Sequence, residues 1–389
     1  VLTIERAVID NPRAQADVSG AIGGGKTDVT GKVDLADLSA LGLGLRGALA
    51  ATGSFADDGT GVRRLVVDGT ATDLAMGQAQ ADAALAGATR LTIRGSERNG
   101  VLTIEEAAAD NARLSASAQG TIGKGSTDLT GQLRADSLAF LGNGIGGAVS
   151  ASGRLVDQGN GRRITADGTA SGLRIGNAKV DPLLGGQTRF DLAALQARDG
   201  TVSIERLNAQ NGQLRIAADG SAAAGLNVDA ALSDLALLVP GLPGPATVAG
   251  TIRQGATVYD LNLNATAPGG TRAAIAGTAA RDFSTADIRV SGISDAALAN
   301  PLLRVRSVEG PVEFDLRLNG RPALENLTGR ISLPNARLSD PKLGLRVENL
   351  NGTADLNGGL IQVNATGEVA GGGRVTVTGR LRTLFPSGA

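Results

Sequence analysis

Apolar and polar residues alternate with a period of two along most of this chain. The run Val312-Glu313-Phe314-Asp315-Leu316-Arg317-Leu318-Asn319 does so without a break. Tyr259, Leu261, Leu263 and Ala265 alternate with Asp260, Asn262 and Asn264. The same spacing returns at Leu214, Ile216 and Ala218, at Leu91 and Ile93, at Ile361 and Val363, and at Val375 and Val377. Successive side chains of a strand point to opposite faces, so the pattern puts the apolar set on one side of a sheet and the polar set on the other. Asp68-Gly69, Asp167-Gly168, Asp199-Gly200, Asn319-Gly320, Asn351-Gly352 and Asn357-Gly358 read as turns between strands. The pattern predicts an all-β fold, a long antiparallel meander that is apolar on one side. A few short helices are predicted over 34–41, 136–141, 233–239 and 294–303, where a capping-type residue precedes Leu at helical spacing. Their expected place is an end or an edge of the sheet.

The chain also repeats. VLTIE at residues 1–5 returns at 101–105, and the same offset aligns Asp10-Asn11 with Asp110-Asn111, Gly20 with Gly120 and Thr30-Gly31 with Thr130-Gly131. A third copy begins near Gly200, where Ile204-Glu205, Asn211 and Gly220 keep the register. Residues 1–389 therefore read as one elongated array, with units near 1–100, 101–199 and 200–300 and a distinct segment over 301–389, each unit leaning on its neighbours.

Composition narrows the chemistry. The 389 residues contain no His and no Cys, which removes the imidazole base, the thiolate nucleophile and the usual zinc, haem and iron–sulfur ligands. A net charge of -1 and 2% aromatic content lack the basic footprint and stacking platforms of nucleic-acid binders. No stretch is long and apolar enough to predict a membrane-spanning helix. No catalytic residue, cofactor or metal site is expected, and the chain reads as a non-enzyme and as a piece of a longer protein.

Two motifs look sharper than they are. Residues 20–27, GAIGGGKT, satisfy the phosphate-loop pattern, but the residues that follow alternate like a strand where that motif needs a helix. A glycine-rich hairpin is the expectation. GLGLRG at 42–47 and its counterpart at 142–147 fit G-x-G-x-x-G, again ahead of alternating runs rather than a helix. Asp57 and Asp58 beside Gly59 read as solvated turn residues rather than a catalytic pair.

What remains is a large one-sided apolar surface of small aliphatics. Each Val, Leu or Ile left in water forgoes roughly 1.5–3 kcal/mol, so the face needs a cover. Two sheets can close into a sandwich, the chain can wind into a β-helix, or one sheet can curl into a trough for an apolar guest. Six Phe and one Tyr are few for a sandwich core, and a repeat near 100 residues is long for a β-helix, so both observations favour the trough.

The C-terminal quarter carries a resemblance. Residues 325–336, ENLTGRISLPNA, are followed by LRVENLNG at 345–352 and by ATGEVAGGGRVTVTG at 365–379. This order of strands and glycines resembles the large periplasmic proteins of the AsmA-like superfamily, and most the TamB type, the inner-membrane component of the translocation and assembly module. It covers about 300–381 specifically and the rest of the chain loosely. The resemblance implies a β-taco, an elongated curled antiparallel sheet around a hydrophobic groove. It implies a periplasmic location in a Gram-negative bacterium, with the full-length protein anchored in the inner membrane. The implied function is a bridge moving phospholipid between the inner and outer membranes in outer-membrane biogenesis. The implied partners are phospholipid acyl chains and, through parts outside residues 1–389, an outer-membrane barrel of the Omp85 class (TamA-like), with no nucleic acid.

On the bottom-up pattern and this resemblance together, the expected groove-lining residues are Leu214, Ile216, Tyr259, Leu261, Leu263, Val312, Phe314, Leu316, Leu318, Ile361, Val363, Val375 and Val377. The alternative is a structural β-helical repeat of a secreted adhesin or autotransporter passenger with a packed interior.

Overall fold

A computed structural model describes residues 1–42, 44–178, 180–221, 224–303 and 305–382. The chain divides into two compact units, Val1–Gly212 and Gln213–Ala389. Leu43 of the first G-x-G-x-x-G stretch and residues 383–389 of the expected C-terminal segment lie outside the described residues.

Strands dominate the first unit. They are β1 (Leu2–Asn11), β2 (Ala14–Gly23), β3 (Lys26–Leu35), β4 (Arg46–Asp57), β5 (Val62–Ala75), β6 (Ala88–Arg98) and β7 (Val101–Asp110). They continue as β8 (Ser115–Ile122), β9 (Asp128–Ala135), β10 (Ile145–Gln158), β11 (Gly161–Ile175), β12 (Gln187–Ala197) and β13 (Val202–Gln210). Each pairs antiparallel with its neighbour in the chain.

The second unit opens with β14 (Leu214–Ser221), β15 (Gly225–Leu232), β16 (Ala246–Gln254), β17 (Val258–Ala267), β18 (Thr271–Ala280) and β19 (Ala286–Asp295). It ends with β20 (Ser307–Glu309), β21 (Pro311–Gly320), β22 (Leu327–Asp340), β23 (Leu345–Asn357), β24 (Leu360–Val369) and β25 (Arg374–Arg382). Pairing is again antiparallel between neighbours, except that β19 pairs β21 and the short β20 lies against the far half of β22. The protein is all-β, its antiparallel sheet not closed into a barrel. A β-helix would wind its strands parallel, whereas every pairing among the described residues is antiparallel.

The hundred-residue repeat is visible as recurring irregularities. A β-bulge interrupts β1 between Ile4 and Ala7, and β7 between Ile104 and Ala107. In β13 the residue skipped in the register is Glu205, between Ile204 and Arg206. The glutamate of the VLTIE motif thus sits where the strand gains a residue, which bends it and raises its twist. Opposite Ile4 and Ile104 stand Gly20 and Gly120, with φ of 151° and 135°. A Cβ on either would lie 2.1 Å from the carbonyl oxygen of Asp28 or Asp128, so only glycine fits. A related device lies in the segment of the family resemblance. Asn335 and Asn349 both adopt positive φ at register breaks of β22 and β23, and the Asn335 amide donates to Asn351 Oδ1 at 3.1 Å.

Several expectations need correction. Asp68-Gly69 and Asp167-Gly168 are not turns but mid-strand pairs of β5 and β11, and Asn351-Gly352 lies within β23. Gly69 faces the neighbouring strand so closely that a Cβ would meet Ala50 O and Ala51 Cβ at 2.6 Å, while Asp68 accepts a bond from Thr92 on the other face. Residues 34–35 belong to β3, because the alternation continues through them. The helical candidates shrink to single 3-10 turns at Leu38–Leu41, Ala139–Leu141 and Leu235–Leu237, and to a 3-10 turn plus α3 (Asn300–Leu303) at the fourth. Two helices lay outside the expectation, α1 (Ala79–Leu85) and α2 (Asp181–Leu184). Neither is preceded by a side chain that caps it, so neither announces itself in the sequence. Both are held by packing: Ala84, Leu85 and Leu183 are buried.

The tightly buried core follows these plugs. In the first unit Leu38, Ala71, Leu74 and Leu85 form one cluster, with Leu35, Leu49 and Leu91 packed against it. Ala71 continues the ladder of Leu35 and Leu49, so the plug sits at one margin of the sheet's apolar side.

Candidate functional site

The ladder register turns strand alternation into continuous apolar rows. In the first unit one row runs Ile9, Ala16, Val33, Ala51, Gly69, Leu91, Ala109, and on through Ala116, Leu133, Ala151, Gly168 and Phe190 to Ala209. It crosses all thirteen strands without a polar side chain. Two residues along each strand, a second row runs from Ala7, Val18 and Gly31 to Leu192 and Leu207, and a third from Ile4, Gly20 and Val29 to Ala194 and Ile204. At about 3.4 Å per residue, the outer rows lie about 14 Å apart.

The second unit repeats the construction with larger side chains. Its central row is Ala218, Val228, Gly250, Leu263, Ile275, Val290, Leu316, Gly329, Leu356, Ile361 and Leu381. A flanking row carries Ile216, Ala265, Phe314, Ala354 and Val363, and the opposite flank carries Leu261, Ile288 and Leu318. Leu214 stands opposite Leu232, Tyr259 opposite Ala279, Val312 opposite Ser294, Val375 opposite Gly367 and Val377 opposite Ala365. All thirteen residues expected from sequence lie on this one face of the second unit. None of the thirteen lies on the matching face of the first unit, where Ala and Gly fill most of the first two rows and larger residues such as Ile4, Val29, Phe55 and Leu65 the third. The signal that would have found it is the ladder register, since Ala109 and Ala116 become informative only once they stand opposite Leu91 and Leu133.

This side is open. Leu65, Ile93 and Leu133 remain 44%, 41% and 42% exposed although each sits within an apolar row. Leu129, Leu133, Leu155 and Ile164 line a hollow of about 370 Å³ there. Glycines at Gly31, Gly53, Gly131 and Gly153 keep the floor of the rows low where strands approach closely. No protein-family model, curated protein or solved structure matches this chain.

The opposite face is polar and wet. Arg154 binds Asp128 through two bonds of 2.8 and 2.6 Å, Arg206 binds Asp191 at 2.6 Å, and Arg330 binds Asp355 at 2.6 Å. A hollow of about 680 Å³ on this side is lined by Glu106, Gln119, Gln132, Arg154 and Asp167. The hydrogen bond from Arg154 holds the Asp128 carboxyl below its ordinary range. The motif residues are equally accounted for. Gly24 and Gly25, with φ of 65° and 75°, are the two central positions of the hairpin between β2 and β3, and no helix follows them. The second G-x-G-x-x-G leads into β10. Asp58 accepts the Thr60 amide and hydroxyl, which lowers its pKa, and Asp57 accepts from Gly59 and Arg63. Among the described residues no group of three or more acidic side chains is placed to hold a metal, and no helix is long and apolar enough to cross a membrane.

Proposed function

We propose that this chain is a lipid-conducting segment of a TamB-like periplasmic bridge, carrying phospholipid between the inner and outer membranes of a Gram-negative cell. The observation that carries the reading is the set of three adjacent apolar rows in each unit, with Leu65, Ile93 and Leu133 of the first unit still more than two-fifths exposed. An acyl chain lying along such a row gains about 0.8 kcal/mol for each methylene taken out of water. Movement along it asks for no specific residue, since the apolar contact that Val, Leu, Ile and Ala offer an acyl chain is non-directional. Head groups stay in solvent at the margins, so no charge enters the apolar band. Nothing in this scheme requires covalent chemistry. Anchoring in the inner membrane and docking to an Omp85-class barrel would fall to other parts of the full-length protein. The test is organic extraction of the purified protein followed by lipid analysis. Co-purifying phospholipid is expected, and a lipid-free protein that fails to take up phospholipid from vesicles contradicts the reading.

A further inference from the structure

The outer edge of β1 repeats a joint that the chain makes twice elsewhere. Among the described residues β1 pairs with β2 alone, whereas its counterparts β7 and β13 each also carry a preceding strand, β6 and β12. In those two places the joint is made by the same asparagine. Asn111 Nδ2 donates to Ala84 O at 2.9 Å and to Thr89 Oγ1 at 3.0 Å. Asn211 Nδ2 donates to Leu183 O at 2.8 Å and to Thr188 Oγ1 at 3.2 Å. Both threonines are buried.

Asn11 occupies the equivalent position on β1. Its Oδ1 already accepts the amides of Arg13 and Ala14, as Asn111 Oδ1 accepts those of Arg113 and Leu114. Among the described residues its Nδ2 has no acceptor. The apolar rows are cut at the same edge, where Ile9 is 58% exposed. The elements received by β7 and β13 share one pattern, ALAGATRLTI at 84–93 and LLGGQTRFDL at 183–192. Each ends a helix, turns at a glycine of φ 86° or 83°, buries a threonine, and enters the sheet with alternate apolar residues.

We infer that the β1 edge is the docking surface for a further helix–glycine–threonine–strand element of the α1–β6 kind, with Asn11 donating to its helix-terminal carbonyl and threonine hydroxyl. A second copy of this chain has no free element of that pattern, because its α1–β6 and α2–β12 are already in place. Strand addition of this sort satisfies the edge's unpaired backbone groups and extends the three apolar rows by one strand.

The test grafts residues 79–100 of this sequence directly ahead of Val1, which reproduces the junction that naturally precedes Val101. Hydrogen exchange of β1 amides is then compared with and without the graft. At least about tenfold slower exchange across β1 is expected. Asn11→Asp, which keeps the Oδ1 acceptor and removes the donor, and Thr89→Val in the grafted copy should each undo most of that protection. The inference is overturned if the graft leaves β1 exchange unchanged, or if its protection is indifferent to both substitutions. It is equally overturned if β1 of the ungrafted protein is already protected in a concentration-dependent way, since a second copy would then cover the edge. None of these readouts depends on lipid.

Discussion

Arg289 on β19 and Arg317 on β21 stand directly opposite one another in the ladder, yet each binds the carboxylate two residues along on the other's strand. Arg289 Nε reaches Asp315 at 2.7 Å, and Arg317 Nε reaches Asp287 at 2.7 Å. Like charges directly opposite would repel, and the crossed pairing converts that repulsion into two diagonal ion pairs on the polar face. A one-residue slip of either strand would move its own two charges to the apolar side, so the pattern also fixes register.

Replacing Arg317 by Ala is expected to lower the thermal midpoint slightly, because both partners are solvent-exposed and such pairs contribute little. The loss should vanish in about 1 M salt, where charges are screened within about 3 Å. Thermal melts of the wild type and variant at low and high salt check this. A loss unchanged by salt would show that packing, not charge, is responsible.

The pH dependence follows from the same pairs. Hydrogen bonds from Arg6, Arg154, Arg317 and Arg289 hold Asp17, Asp128, Asp287 and Asp315 below the ordinary carboxylate range. A folded value below the unfolded one means that the stabilisation is complete above the ordinary range near 4 and is lost as pH falls through the lower folded values. With no His in the chain, stability should be flat between about pH 5 and 8 and decline below about 4. Unfolding midpoints across that range decide it, and a decline between pH 7 and 6 contradicts the account.

Glycines of the apolar rows should differ sharply from one another. Gly277 has φ 143°, and a Cβ there would lie 2.1 Å from Asp287 O. Gly277→Ala is therefore expected to cost about 2–3 kcal/mol in denaturant unfolding. Gly379, opposite Val363, has open space where a Cβ would go. Gly379→Ala should change stability by no more than about 0.5 kcal/mol.

Strand identity and the apolar face of the second unit were legible because Val, Leu, Ile and Phe alternate there with charged residues. The strand from Pro311 to Gly320 follows its sequence pattern residue by residue. Glycine misled where it serves a different purpose. Gly69 and Gly168 follow an aspartate as a turn glycine would, but they are small because the neighbouring strand passes close by, a fact about tertiary structure that no dipeptide encodes. The plugs were misjudged for a related reason. Helix α1 is stabilised by burial of Ala84 and Leu85 rather than by a cap or a long periodic stretch, so its sequence is locally bland. The repeat offset identified Asn11, Asn111 and Asn211 as equivalent, but only the coordinates reveal that two of them join a helix end to a strand.

That joint yields a direct comparison. Asn111→Asp removes the donor to Ala84 O and Thr89 Oγ1 and is expected to cost about 1–3 kcal/mol. Asn11→Asp in the same 389-residue chain should be close to silent. Denaturant midpoints of the two variants check the contrast.

The proposed conduit predicts that charge on the apolar face harms transport before it harms the fold. Leu263 and Leu316 lie on one row and neither is fully buried. The double variant Leu263→Asp with Leu316→Asp is expected to remain folded by circular dichroism while losing most bound phospholipid. Loss of fold together with lipid would leave the wild-type extraction as the deciding result.

The central claim is that hydrocarbon occupies the apolar rows, and site-specific photocrosslinking tests it most directly. A photoreactive side chain at Leu263, on the apolar face, and one at Asn262, one residue away on the polar face, are each exposed to phospholipid vesicles and illuminated. The account expects lipid adducts at Leu263 and few or none at Asn262. Equal labelling at both positions, or labelling at Asn262 alone, would contradict it.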